Sequence, residues 1–140
     1  MTDKLVYTAH VTATGGRDGK IRSDDGNLEV KLTIPPEFGG PGGAGTNPEQ
    51  LFAAGYSACF LSATKLSARL GKVSLPEDPT IDASVGVLAG EDGYRLTAEL
   101  RISIPGVERE VAERLVADAH RRCPFSKATR GNMDVVLTVL

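Results

Sequence analysis

The stretch Thr46–Gly71, TNPEQLFAAGYSACFLSATKLSARLG, decides the fold. Asn47 is suited to cap a helix and Pro48 to its first turn; Glu49 and Gln50 follow where the positive end of the dipole favours an acid and a capping partner. Gly71 marks the end. No charge occurs between Gln50 and Lys65, so the front two-thirds of the helix has no polar face to offer water and is predicted to be buried nearly all round. The run is too short to span a bilayer, which leaves the centre of a fold or of a subunit interface. Cys59 lies in its middle.

On the N-terminal side, Leu5–Thr14 alternates and is rich in β-branched and aromatic residues, the pattern of a strand. The turn Gly15-Gly16-Arg17-Asp18-Gly19 follows, then strands over Lys20–Ser23 and Leu28–Ile34 joined at Asp24–Asn27, so the first third reads as a meander. Pro35–Thr46 is too rich in proline and glycine for a regular element and reads as a shaped loop, with Phe38 as an apolar wall. Beyond the central helix, Thr80–Ala89 and Tyr94–Ile104 form an antiparallel pair about Gly90–Gly93. Leu96, Ala98, Leu100, Ile102 and Ile104 face inward, and the other side of that sheet is wet. Val107–Arg122 is an amphipathic helix ended by Pro124; His120, Arg121 and Arg122 suit the negative end of its dipole. Met133–Leu140 closes the chain as a strand.

The 140 residues make one domain, 1–140, of α+β type. Apolar content of 41%, charged content of 24% and a net charge of -2 are ordinary globular values and give no electrostatic case for nucleic acid or an anionic membrane. With no signal-peptide core in MTDKLVYTAH and no transmembrane run, a cytoplasmic protein is the expectation. Cys59 and Cys123 lack CxxC spacing, and in a reducing compartment any bridge between them would be transient and chemical. Two unrelated buried thiols are the bland alternative. With His10 and His120 they have no metal-ligand spacing, so no metal is predicted, and no cofactor. The glycine-rich loop lacks the lysine and hydroxyl residue of a phosphate loop.

A buried mid-helix thiol is pushed toward its neutral form and is too far from the helix N-terminus for the dipole to help. It needs a positive partner. Lys65 lies about 200° round the helix from Cys59, whereas Arg17, on its glycine turn, keeps its charge when buried and donates several hydrogen bonds at once. Such an arginine needs a carboxylate, and Glu49 is the candidate. Glu49 stands about 15 Å along the helix from Cys59, so two antiparallel copies of the helix would bring it near the other copy's cysteine. That predicts a homodimer with composite sites. A thiolate that attacks a peroxide becomes a sulfenic acid, and Cys123 is placed to condense with it if the two backbones come close.

Two segments, ATGGRDGKIRSDDGNLEVKL with TNPEQLFAAGYSACF, and CPFSKATRGN, resemble the organic hydroperoxide resistance (Ohr) proteins of the OsmC-like superfamily, over essentially the whole chain. The resemblance implies that Cys59 attacks the peroxide, Cys123 resolves it, Arg17 is a mobile loop arginine and Glu49 holds it. It also implies an OsmC-like fold, with antiparallel sheets wrapped around a buried central helix in an intertwined homodimer. The implied activity is reduction of organic and fatty-acid hydroperoxides, with a lipoylated protein or dihydrolipoamide as reductant. Phe38, Phe52, Phe125 and Met133 are the expected walls of an apolar substrate pocket. The alternatives are an OsmC-type peroxidase, a cysteine-based redox sensor, a lipid-binding module, or a structural dimer with inert thiols.

Overall fold

The computed structural model describes residues 2–140, in two compact units that divide after Pro48. The first is a meander of β1 (Val11–Thr14), β2 (Lys20–Ser23) and β3 (Glu29–Lys31), antiparallel throughout. Both turns fall where the glycines and aspartates predict them. The β1–β2 turn tightens into a single 3-10 turn at Gly16–Asp18, with left-handed Gly15 and Gly16 before Arg17 (φ 77 and 68). At Gly19 a side chain would strike the Thr14 carbonyl oxygen at 1.7 Å, so only glycine closes this loop.

Two strands of this unit are shorter than their patterns predict. Residues 2–10 form no regular element, and Leu5, Val6 and Tyr7 are 81, 87 and 77% exposed. β1 begins only at Val11 because it has only the four residues of β2 to pair with, and β-pattern without a neighbour leaves backbone groups unpaired. β3 stops at Lys31. Leu32 then bridges Thr46, and Thr46 N–H donates to the Lys31 carbonyl at 2.8 Å, so the Pro–Gly loop is drawn closed at its base.

The second unit is built around α1 (Pro48–Leu70), whose ends agree with the sequence signals. Its C-terminus is a Schellman turn: Val73 N–H donates to the Ala68 carbonyl at 2.8 Å and Lys72 N–H to that of Arg69 at 3.2 Å. The left-handed residue is Lys72 (φ 56) and not Gly71. Tyr56, Phe60, Ala63 and Ala68 of α1 join the core, but burial is not all round. Gln50, Ala54, Ala58, Ser62, Lys65 and Arg69 form an exposed stripe at three- and four-residue spacing. One sheet and one flanking helix pair cannot cover every side of a 23-residue helix, and alanine at the front of the stripe accounts for its lack of charge.

β4 (Thr80–Gly90) and β5 (Gly93–Ser103) pair antiparallel, with Gly90 opposite Gly93. As the alternation predicts, Ala98, Leu100, Ile102 and the following Ile104 are buried. β6 (Val135–Val139) lies beside β5 but runs parallel to it, so this sheet is mixed where an antiparallel one is predicted. The intervening helices carry the chain back to the starting edge, which makes a parallel return possible. α2 (Arg109–Arg122) starts two residues later than predicted, with Val107 packed on the core just before it. Pro124 does not simply end α2; it opens a further helix, α3 (Pro124–Thr129), because the residue that cannot continue a helix is equally suited to begin one. No helix of the described residues is long and apolar enough to cross a membrane.

A lysine held left-handed costs about 1 kcal/mol or more, which glycine avoids at the expense of greater unfolded-state entropy. Lys72→Gly is therefore expected to stabilise the protein by about 0.5 kcal/mol and Lys72→Val to destabilise it by about 1 kcal/mol, read from urea unfolding midpoints.

Candidate active site

Cys59 sits at mid-α1 on the face that also carries Phe52, Gly55 and Tyr56, one and two turns earlier. Cys123 is the hinge between α2 and α3: its N–H donates to the Ala119 carbonyl at 2.8 Å, closing one helix, and its carbonyl accepts from Lys127 N–H at 3.0 Å, opening the next. This corner presses against α1. Cys123 is fully buried, Cys59 is half-buried, both are reduced, and their sulfurs stand 3.6 Å apart. A bridge between them needs a further approach of about 1.5 Å.

Burial pushes the Cys59 thiol above its ordinary pKa, and the adjacent Cys123 thiol adds to the shift; the backbone N–H of Phe125 pulls the other way. The Phe125 ring packs into the aromatic group of α1, its centroid 5.8 Å from that of Tyr56 and 6.5 Å from that of Phe52. Gly55 makes this possible, since a β-carbon there would lie 3.2 Å from the Phe125 ring. Three of the four residues expected as pocket walls, Phe52, Phe125 and Met133, line one cavity of about 650 Å³, together with Leu88, Leu96 and Pro124. The cavity therefore begins at the residues on either side of the Phe125 amide that faces the Cys59 sulfur.

The fourth, Phe38, belongs to the first unit, where the Arg17 guanidinium lies over its ring at 5.2 Å from the centroid. Such a contact at a partly exposed ring is worth about 0.5–1 kcal/mol. Glu49 stands in the first turn of α1, ten residues ahead of Cys59. Among the described residues no cluster of three or more histidine, cysteine or acidic side chains could hold a metal ion.

The polar groups around the cysteine corner are not apparent from the sequence. Tyr56 Oη and Ser126 Oγ, both fully buried, are 2.8 Å apart; Tyr56 Oη also approaches Thr129 Oγ1 at 3.3 Å, and Ser126 Oγ lies 2.9 Å from His120 Nδ1. A tyrosine inside the charge-free run, whose hydroxyl needs a partner once buried, is the one sequence signal for it. His120 is predicted as a helix-end cation, and here the structure differs. Burial, and then the nearby Arg130 charge, lower its pKa, so the neutral ring is favoured. His10, predicted within the first strand, precedes β1.

Residues 40–138 match the model of the OsmC-like protein family. The chain is 53% identical over 137 residues to the organic hydroperoxide resistance protein of Xanthomonas axonopodis pv. citri, covering 98% of this chain and 96% of that one. It is 44% identical over 138 residues to the organic hydroperoxide resistance protein OhrA of Bacillus subtilis, covering 96% of each. Among solved structures, an organic hydroperoxide resistance protein from Legionella pneumophila superposes with a TM-score of 0.92 at 47% identity, covering 97% of this chain and 98% of that one.

The lowered His120 pKa has a defined sign. The unfolded chain takes up a proton near pH 6.5 and the folded chain only at lower pH, so the contribution to stability is complete above about 6.5 and is lost as pH falls. Between about pH 7 and pH 5, the urea midpoint of the wild type is expected to fall more steeply than that of His120→Asn, which cannot titrate.

Proposed function

We propose that this chain, which belongs to the OsmC-like family and within it to the organic hydroperoxide resistance proteins, is a thiol-dependent peroxidase for organic hydroperoxides, including those of fatty acids. The observation that carries this reading is the pair of sulfurs 3.6 Å apart, with Pro124 and Phe125, which follow Cys123, in the wall of a largely apolar cavity of about 650 Å³. A cavity of that size and lining takes an alkyl chain, which gains about 0.8 kcal/mol for each buried methylene, whereas hydrogen peroxide gains nothing there. The match across 98% of the chain, spanning the division between the two compact units, supports treating residues 1–140 as one functional domain.

The Cys59 thiolate attacks the terminal oxygen of the hydroperoxide and the O–O bond breaks. Sulfur keeps the hydroxyl as sulfenic acid, and the alkoxide takes a proton and leaves as the alcohol. Cys123 then attacks that sulfur, water departs, and a disulfide remains. An external dithiol, such as a lipoylated protein or dihydrolipoamide, restores both thiols by exchange and is itself oxidised to a disulfide. Because burial raises the Cys59 pKa, the first step at neutral pH needs a cation. Arg17, oriented by Glu49, is assigned that role. The two left-handed glycines of its turn can absorb a backbone change as the arginine moves. A homodimer with composite sites is supported by the alanine-fronted exposed stripe of α1 and by the exposed Leu5, Val6 and Tyr7. The proposed compartment is the cytoplasm, where a bridge between Cys59 and Cys123 would be transient and chemical.

Cys59→Ser is expected to abolish dithiol-dependent consumption of an alkyl hydroperoxide, and Cys123→Ser to complete one turnover and then over-oxidise. Arg17→Gln should slow Cys59 oxidation at pH 7 by about 100-fold, with partial recovery at higher pH as the thiol ionises unaided. Peroxide consumption under steady-state and single-turnover conditions measures all three. Multiple turnover by Cys59→Ser would overturn the reading, and a wild type that stalls after one equivalent with a lipoyl reductant would identify a sensor.

A further inference from the structure

The hydrogen-bonded chain of Tyr56, Ser126 and His120 has no part in the chemistry just described, yet its members are spaced about the two cysteines. Tyr56 is three residues before Cys59 on α1. His120 is three residues before Cys123 at the end of α2, and Ser126 three residues after it on α3. Each therefore lies about one helical turn from a sulfur-bearing residue, and Ser126 Oγ joins all three elements at 2.8 and 2.9 Å. We infer that Tyr56, Ser126 and His120 are positioning residues for the resolving step: this buried clamp fixes the α2–α3 corner against α1 and so sets the Cys59–Cys123 sulfur distance from which the disulfide closes.

The proton inventory of the chain is consistent. With His120 neutral and its proton on Nε2, the Tyr56 hydroxyl donates to Ser126 Oγ and the Ser126 hydroxyl donates to His120 Nδ1. The Thr129 hydroxyl donates to the Ser126 carbonyl at 3.2 Å, tying the serine backbone as well as its side chain. On the other side, Arg130 Nη2 donates to the His120 carbonyl at 2.6 Å, so the last turn of α2 is held to the end of α3 at a second point. Ser126 and Tyr56 are fully buried, and losing Ser126 Oγ leaves Tyr56 Oη only its longer 3.3 Å contact with Thr129 and breaks the link to His120, so that the corner is free to shift. The sulfenic acid must meet Cys123 across a gap that closes from 3.6 Å to about 2.05 Å. First attack on the hydroperoxide, by contrast, needs only Cys59 and an open approach. Loss of the clamp therefore slows condensation selectively.

The inference rests on the peroxidase reading, and rapid mixing with tert-butyl hydroperoxide separates the two. Free thiol loss reports oxidation of Cys59, and quenched samples analysed by mass report disulfide against sulfinic acid. Ser126→Ala is expected to keep the oxidation rate within about twofold of wild type while slowing condensation about tenfold to 100-fold, as misplacement of reacting groups by about 1 Å does. Sulfinic acid then accumulates at correspondingly lower peroxide. Tyr56→Phe, which keeps the aromatic packing and removes one hydroxyl, should show the same partition and decides the matter if Ser126→Ala does not fold. Condensation at the wild-type rate in the folded variants, or an equal loss in both phases, overturns the clamp. Absence of Cys59 oxidation or of the disulfide in the wild type overturns the peroxidase reading instead.

Discussion

The contact between mid-α1 and the α2–α3 corner is the constraint on which the rest depends. It sets a sulfur at the centre of the longest helix opposite a second sulfur at the junction of two others, although 64 positions of sequence separate them. Neither helix could bring this about alone. Gly55 lets the Phe125 ring lie close to α1, and the ring fixes the start of α3, whose backbone amide then faces Cys59. Packing and chemistry are here the same set of contacts.

The cost of that arrangement is electrostatic. The apolar surroundings that suit an alkyl chain also penalise the thiolate, and the Phe125 amide offsets this only in part. Charge must therefore come from a residue outside the packed group. In the proposed reaction a guanidinium on a short glycine turn would supply it. Cys59 and Arg17, the sulfur and the cation of the proposed reaction, lie on different elements.

Much of this was legible in the sequence, for identifiable reasons. The limits of α1 follow from Asn47-Pro48 and Gly71 because capping is local chemistry, and β4–β5 follows from its alternation and its glycine-bounded turn. Cys59 and Cys123, singled out in the sequence, do meet, with their sulfurs 3.6 Å apart. What escaped depends on distant partners. Pro124 signals an end and a beginning equally, so α3 was hidden. The first strand had the right pattern but too short a neighbour, and the direction of β6 depends on where the helices deliver the chain. The Tyr56–Ser126 bond spans 70 positions and no local pattern encodes it.

The wide sequence separation of the two thiols has one more consequence. Closing the proposed bridge would tie off a loop of 64 residues, and a covalent tie of that span removes enough freedom from the denatured chain to raise folding stability by about 4 kcal/mol. The protein would then be most resistant to heat and proteolysis once the bridge had closed, and would relax to a softer molecule only when re-reduced. Chain durability would rise and fall with peroxide load.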